Sequence, residues 1–275
     1  MSIYALKGRS VKLILITGAT VLLRTALQPI IPSESSQLPP SMIAEEGLLP
    51  VAFLLYAFLA YGLIALLFVS IQHDLPWTKT KKGLAYGLIL GLLWAIYLLE
   101  PLPYNLNYSL TSILLFPFAD GIAIVFLGVL SGRFLASDSP GWGKQSAEKW
   151  TLTLFSVTVF FLIGRLLDYT VFNIFSAYSI KPLDTLAWVA ATGFWGAITY
   201  LVLSSRITLR SAVKRTAYFG LLIFGLNLIV FNGFLALAVE VDLIDLFVRT
   251  AVDISFVALG VFVAKVIWNR LSSDS

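Results

Sequence analysis

The stretch Val11–Ile31, VKLILITGATVLLRTALQPII, decides the fold. It meets the ~20-residue length that a bilayer requires, yet Arg24 sits two-thirds of the way along it. A second stretch, Thr151–Phe172, TLTLFSVTVFFLIGRLLDYTVF, carries Arg165 at the matching place. A guanidinium at that depth costs at least about 2.5–3.5 kcal/mol on insertion scales. Two such charges at equivalent positions call for partners of opposite sign. Asp120 and Asp253, each inside another apolar stretch, are the candidates.

Composition extends this reading to the whole chain. Of 275 residues, 59% are hydrophobic and only 12% charged, half the share of an ordinary soluble domain, ~25%. Mean hydropathy is +0.90. Eight spans are expected, over 11–31, 48–71, 83–103, 112–132, 151–172, 185–204, 216–237 and 246–267. The fold class is all-α, a polytopic membrane protein. No polar run is long enough for a separate soluble domain. Span one has a signal-like basic start and apolar core, but span five repeats its pattern inside the chain, so span one is expected to be retained.

Charge placement orients the spans. Lys7, Arg9, Lys12, Lys79, Lys81, Lys82, Arg133, Lys144, Lys149, Arg206, Arg210, Lys214, Arg215, Lys265 and Arg270 fall on the side of the N-terminus, whereas the opposite loops hold only Lys181. The positive-inside rule therefore places both termini in the cytoplasm. The far loops are acidic, with Glu34, Glu45, Glu46, Asp184, Glu240, Asp242 and Asp245. Trp77, Trp142, Trp150 and Trp268 mark the near boundary, where indole rings favour the headgroup zone. A cell (plasma or inner) membrane is the expected location.

The chain reads as two copies of one unit. Lys82-Gly-Leu-Ala85-Tyr86 and Lys214-Arg-Thr-Ala217-Tyr218 lie 132 residues apart, as do Leu127-Gly128-Val129 and Leu259-Gly260-Val261. Asp120 and Asp253 match with a one-residue slip. Arg24 and Arg165 lie 141 residues apart, the excess falling in the long loop Gln28 to Gly47. This divides the chain into a first four-helix repeat over 1–137, a cytoplasmic linker over 138–150 and a second repeat over 151–275. Each repeat has an even number of spans, so both insert the same way up, as parallel transporter repeats do. Gly87-x-x-x-Gly91 and Gly128-x-x-x-Gly132 supply small faces for close helix packing. Span two carries no charge and is expected to face lipid.

Counting at ~1.5 Å rise per residue puts Arg24 and Asp120 at one level, ~10–12 Å from the far boundary. Arg165 and Asp253 share that level in the second half. An Arg–carboxylate pair between the first and fourth helices of each unit follows. In the second half Arg165 and Asp168 (i, i+3) and Arg249 and Asp253 (i, i+4) are competing neighbours. Glu100, which aligns with Asn232, and Asn227 add polar groups toward the far side. Together Arg24, Asp120, Arg165, Asp168, Arg249, Asp253, Glu100, Asn227 and Asn232 form the candidate substrate-binding or coupling set.

Several chemistries are excluded or unsupported. There is no cysteine and the single histidine, His73, lies in a polar loop, so thiolate metal sites and a Ser-His-Asp triad have no basis. Nucleotide-binding and hydrolase motifs are absent from the sequence. No catalytic residue, metal or cofactor is assigned, and nucleic acid is not an expected partner. Three classes remain. The first is a secondary carrier, permease-like, for a small anionic or lipid-like molecule held between the repeats, with the arginines contacting the anion and the aspartates coupling. The second is an accessory or scaffold subunit whose ion pairs are structural. The third is an intramembrane lipid-modifying enzyme working through carboxylates. Besides that substrate, the lipid bilayer is the expected partner.

Overall fold

The computed structural model describes residues 3–31, 39–100, 110–139, 146–204, 207, 209 and 211–273. Glu34, Trp142, Lys144, Arg206, Arg210 and much of the expected linker lie outside the described residues. Every long element is a helix, and eight are long and apolar enough to cross a membrane. The chain is thus an integral membrane protein by length and composition of its helices. In lipid, a helix satisfies its own backbone groups where no water can.

The helices are α1 (Ile3–Leu27), the short α2 (Met42–Glu45), α3 (Leu49–Ile71), α4 (Lys79–Leu98), α5 (Leu110–Leu135), α6 (Ala147–Thr170), α7 (Pro182–Leu203), α8 (Ala212–Ala217), α9 (Leu226–Ala238) and α10 (Leu243–Ser273). A π-helical segment, Tyr218–Gly225, joins α8 to α9, so the seventh span is one continuous rod with a wider turn in its middle. The observed ends depart from the hydropathy boundaries at polar margins. The last helix runs 31 residues because its basic tail stays helical beyond the apolar window. The third span ends at Leu98, so Glu100 sits in the turn that follows.

Two compact units divide the chain. The first comprises Met1–Ala95, Tyr108–Trp142 and Gly233–Glu240. Within it α1 packs on α3 and α5, and α3 packs on α5. The helices α4 and α5 approach backbone to backbone. A Cβ on Gly87 would lie 2.8 Å from the Cα of Val125, and one on Gly128 would lie 2.7 Å from the Cα of Gly87. Only glycine permits that approach, which is how helices gain contact where lipid supplies no hydrophobic drive. The Tyr86 hydroxyl donates to the Ile64 carbonyl at 2.6 Å, tying α4 to α3.

Two expectations change here. The second span does not simply face lipid. Ala60, Tyr61, Ile64, Ala65, Phe68 and Ile71 are buried on one side of α3, while Val51, Leu55 and Leu59 are exposed on the other. Being apolar all round, the sequence could not show which stripe the core covers. Lys82, read as a topology-setting cation, is fully buried. Its Nζ donates to the Gln72 carbonyl at 2.6 Å and to Ser139 Oγ at 2.7 Å, so it fastens the ends of α3 and α5 to the start of α4.

The second unit comprises Ile96–Asn107, Gly143–Asn232 and Val241–Ser275. Here α6 packs on α7 and α10, and α10 also packs on α7, α8 and the π segment. Ser156 Oγ donates to the Gly260 carbonyl at 2.8 Å, and a Cβ on Gly260 would stand 2.7 Å from the Cα of Val157. The tight α6–α10 seam brings one charged face of each helix together. Asn173, in the left-handed region at φ 54°, follows the end of α6, about two turns beyond Arg165. The Ile174 amide then bonds back to the Asp168 carbonyl at 2.9 Å.

Candidate functional site

The first unit holds the simpler arrangement. Arg24 Nε donates to Asp120 Oδ1, joining α1 to α5. Its Nη1 donates to Gln28 Oε1 one turn on at 2.8 Å, and the guanidinium lies 5.4 Å from the centre of the Phe116 ring. Both charged side chains keep 15% of their surface exposed. One cation meets one anion, with a neutral amide taking a second bond from the guanidinium.

The second unit holds a network rather than a pair. Arg165 is wholly buried. Its Nη2 donates to Asp253 Oδ2 on α10 at 2.7 Å, and its Nη1 to Glu100 Oε1 at 2.9 Å. The other oxygen of Glu100 accepts from Arg249 Nη1 at 3.3 Å. Arg249 Nη2 donates to the Phe175 carbonyl at 2.7 Å. Glu100 therefore bridges two arginines, and Arg165 bridges two acids. Such charge-assisted, forked contacts are the strong class of hydrogen bond. The Arg165 guanidinium also lies 5.0 Å from the Trp188 ring centre and 5.5 Å from that of Phe161. The Trp188 indole is itself held by a 2.6 Å bond to the Ile96 carbonyl.

The competing helical pairings do not form. Arg249 bonds Glu100, not Asp253, and Arg165 bonds Glu100 and Asp253, not Asp168. Long helical side chains lean toward the helix N-terminus, and Arg165 follows this, lying over Phe161 one turn earlier. Asp168, one turn later, is left behind. It is fully buried, and neither of its oxygens has a hydrogen-bond partner among the described residues. Burial grades across the network: Arg249 and Glu100 keep 16% and 19% of their side-chain surface exposed, Asp253 1%. The partly open edge is Glu100–Arg249, and the closed end is Arg165, Asp253 and Asp168.

The remaining candidates separate. Asn232 Nδ2 donates to Thr250 Oγ1 at 2.6 Å, joining α9 to α10. Asn227 is buried, and neither amide atom is bonded among the described residues. A surface groove lined by Ala147, Glu148, Thr151, Leu152 and Phe155 flanks the first turns of α6. It begins roughly 15 Å along that helix from Arg165, apart from the charged network. Sequence reasoning did not single out Trp188, Phe161 or Thr250. An aromatic residue one turn before each buried arginine's position was a usable signal only for Phe161. Among the described residues, no three histidine or acidic side chains group closely enough to hold a metal ion. No protein-family model, curated protein or solved structure matches the chain.

Proposed function

We propose that the chain is a secondary carrier of the cell membrane, built from two four-helix repeats inserted with one orientation and with both termini cytoplasmic. Its cargo is a small anionic or lipid-like molecule, and the Glu100–Arg249 edge with the buried Arg165, Asp168 and Asp253 is its coupling site. The observation that carries this reading is Asp168. A network that only docks helices is expected to satisfy every member, because a half-satisfied buried network is less stable than an apolar core. The second unit leaves a fully buried acid unbonded, and an ionisable group kept inside a membrane favours function over packing.

The repeat reading has its own support. In each unit the first helix of the repeat packs on the second and the fourth, and the second packs on the fourth. An Arg–Asp bond links first and fourth helices in both, Arg24 to Asp120 and Arg165 to Asp253. The close approach of Gly87 to Val125 recurs between Gly220 and Ala258, at the same chain separation of 38 residues. The lopsided distribution of lysine and arginine supports the orientation.

A scaffold reading is favoured by one observation. Both terminal nitrogens of Arg165 bond acids and the side chain is wholly buried, so its charge is compensated and shielded from an incoming anion. Arg249, bonded to a carbonyl and to the partly exposed Glu100, is the more available cation. The test is a melting titration of purified protein in nanodiscs with small carboxylates, inorganic phosphate and short-chain phosphatidic acid. The carrier reading expects at least one of them to raise the melting temperature by several degrees, since ligand at 100 Kd adds about 2.7 kcal/mol. It expects folded Arg249→Gln to lose that shift, and the same compound to cross reconstituted vesicles. No shift with any compound, or a shift that survives Arg249→Gln, leaves the scaffold reading.

A further inference from the structure

Charge within the buried network of the second unit does not balance. Glu100, Asp168 and Asp253 supply three carboxylates, and Arg165 and Arg249 supply two guanidiniums. All three ion pairs of the network use Glu100 and Asp253. Asp168 is the surplus acid, fully buried and unbonded at both oxygens. It lies within electrostatic reach of Arg165 on its own helix, of Arg249 and Asp253 on α10, and of Glu100 after α4. The neighbouring Tyr169 feels the same four groups. Each Nη of the two guanidiniums already makes one bond, those of Arg165 to acids and those of Arg249 to Glu100 and the Phe175 carbonyl, and none of their nitrogens bonds Asp168.

A surplus carboxylate removed from water costs several kcal/mol unless its charge is compensated. The balanced Arg24–Asp120 pair of the first unit poses no such problem. We propose that Asp168 binds one positive charge that the chain does not supply, a proton or an alkali cation, exchanged with water at the Glu100–Arg249 edge. The absence of a three-acid grouping among the described residues fits a single charge better than a divalent metal. Proton uptake is simple addition to a carboxylate oxygen, so no other reactant is needed. The inference names the coupling ion of the carrier proposed above and rests on that reading for its use in transport. The binding itself is measured without transport.

The experiment uses the full chain in nanodiscs as wild type, Asp168→Asn and Glu100→Gln. Infrared spectra at neutral pH are recorded in sodium, potassium and choline buffers, and melting temperatures are taken in the same buffers. A bound proton gives a protonated-carboxyl C=O band that shifts in D2O and is lost in Asp168→Asn. It is lost in Glu100→Gln too, because removing one acid frees Arg249 to compensate Asp168. A bound alkali cation gives no such band, but sodium or potassium raises the melting temperature over choline in wild type and not in Asp168→Asn. The proposal is overturned if wild type shows neither effect, or if either effect persists unchanged in Asp168→Asn. Should Asp168→Asn not fold, Glu100→Gln supplies the same comparison. A ligand-induced melting shift with no ion effect sinks this inference and leaves the carrier reading standing; an ion effect with no ligand shift does the reverse.

Discussion

Replacing Arg165 by methionine should be the most damaging single change to the charged network. Arg165 is wholly buried between Asp253 and Glu100, at 2.7 and 2.9 Å. Its removal strips Asp253, 1% exposed, of the one hydrogen bond its carboxylate makes among the described residues. Breaking one side of a buried ion pair costs about 3–5 kcal/mol. Loss of the contacts with Trp188 and Phe161 removes a further ~2 kcal/mol, of which a methionine sulfur against the same rings returns roughly 0.3–1.5. The net expectation is a destabilisation of about 3.5–6.5 kcal/mol. Adding Asp253→Met removes the stranded anion, and apolar groups replacing both partners of a buried pair are close to neutral. The double variant should then recover at least about 2 kcal/mol relative to Arg165→Met alone. Equilibrium unfolding in mixed micelles, followed by helical circular dichroism, measures all three variants. Arg165→Met within about 1 kcal/mol of wild type, or a double variant no better than the single, would refute the pairing and the magnitude together.

Further outcomes follow from single contacts. Arg24→Met should cost less than Arg165→Met, about 1–3 kcal/mol, because Arg24 and Asp120 both keep 15% of their surface exposed; the same unfolding assay ranks them. Gly128→Ala should destabilise by roughly 1–3 kcal/mol, its Cβ lying 2.7 Å from the Cα of Gly87, whereas Gly121→Ala, meeting nothing nearer than 3.4 Å, should be close to neutral. The chain has no cysteine, so Lys181→Cys and Arg270→Cys can be labelled in sealed vesicles without background. The orientation proposed above expects them to react from opposite faces, and labelling of both from one face contradicts it.

The spans and their polar levels were legible because hydropathy and rise per residue are one-dimensional quantities. Arg24 and Asp120 were placed at one depth by counting, and they bond. Partner choice in the second unit was not legible, because depth says nothing of azimuth. Three acids lie near that level, and only packing of α6 on α10 turns Asp253 toward Arg165 and leaves Asp168 aside. Glu100 was grouped with the set by its alignment with Asn232, yet its two-arginine bridge depends on α4 ending at Leu98, earlier than the apolar run suggested. Lys82 illustrates the opposite limit: a cation in a boundary run reads as solvated, and only the fold reveals the carbonyl and hydroxyl that bury it. The π segment at Tyr218–Gly225 leaves no periodic trace in residues that are apolar on every side.

Nuclear dipolar recoupling in lipid bilayers reads the Arg165–Asp253 bond itself, with nitrogen-15 in the arginine guanidiniums and carbon-13 in the aspartate side-chain carboxyls. Arg165→Lys assigns the Arg165 signal. The expected result is strong dephasing of that signal by carboxyl carbon, abolished in Asp253→Asn and unchanged in Asp168→Asn. Dephasing that survives Asp253→Asn and disappears in Asp168→Asn would contradict it, because Asp168 would then be paired and no acid would be left over.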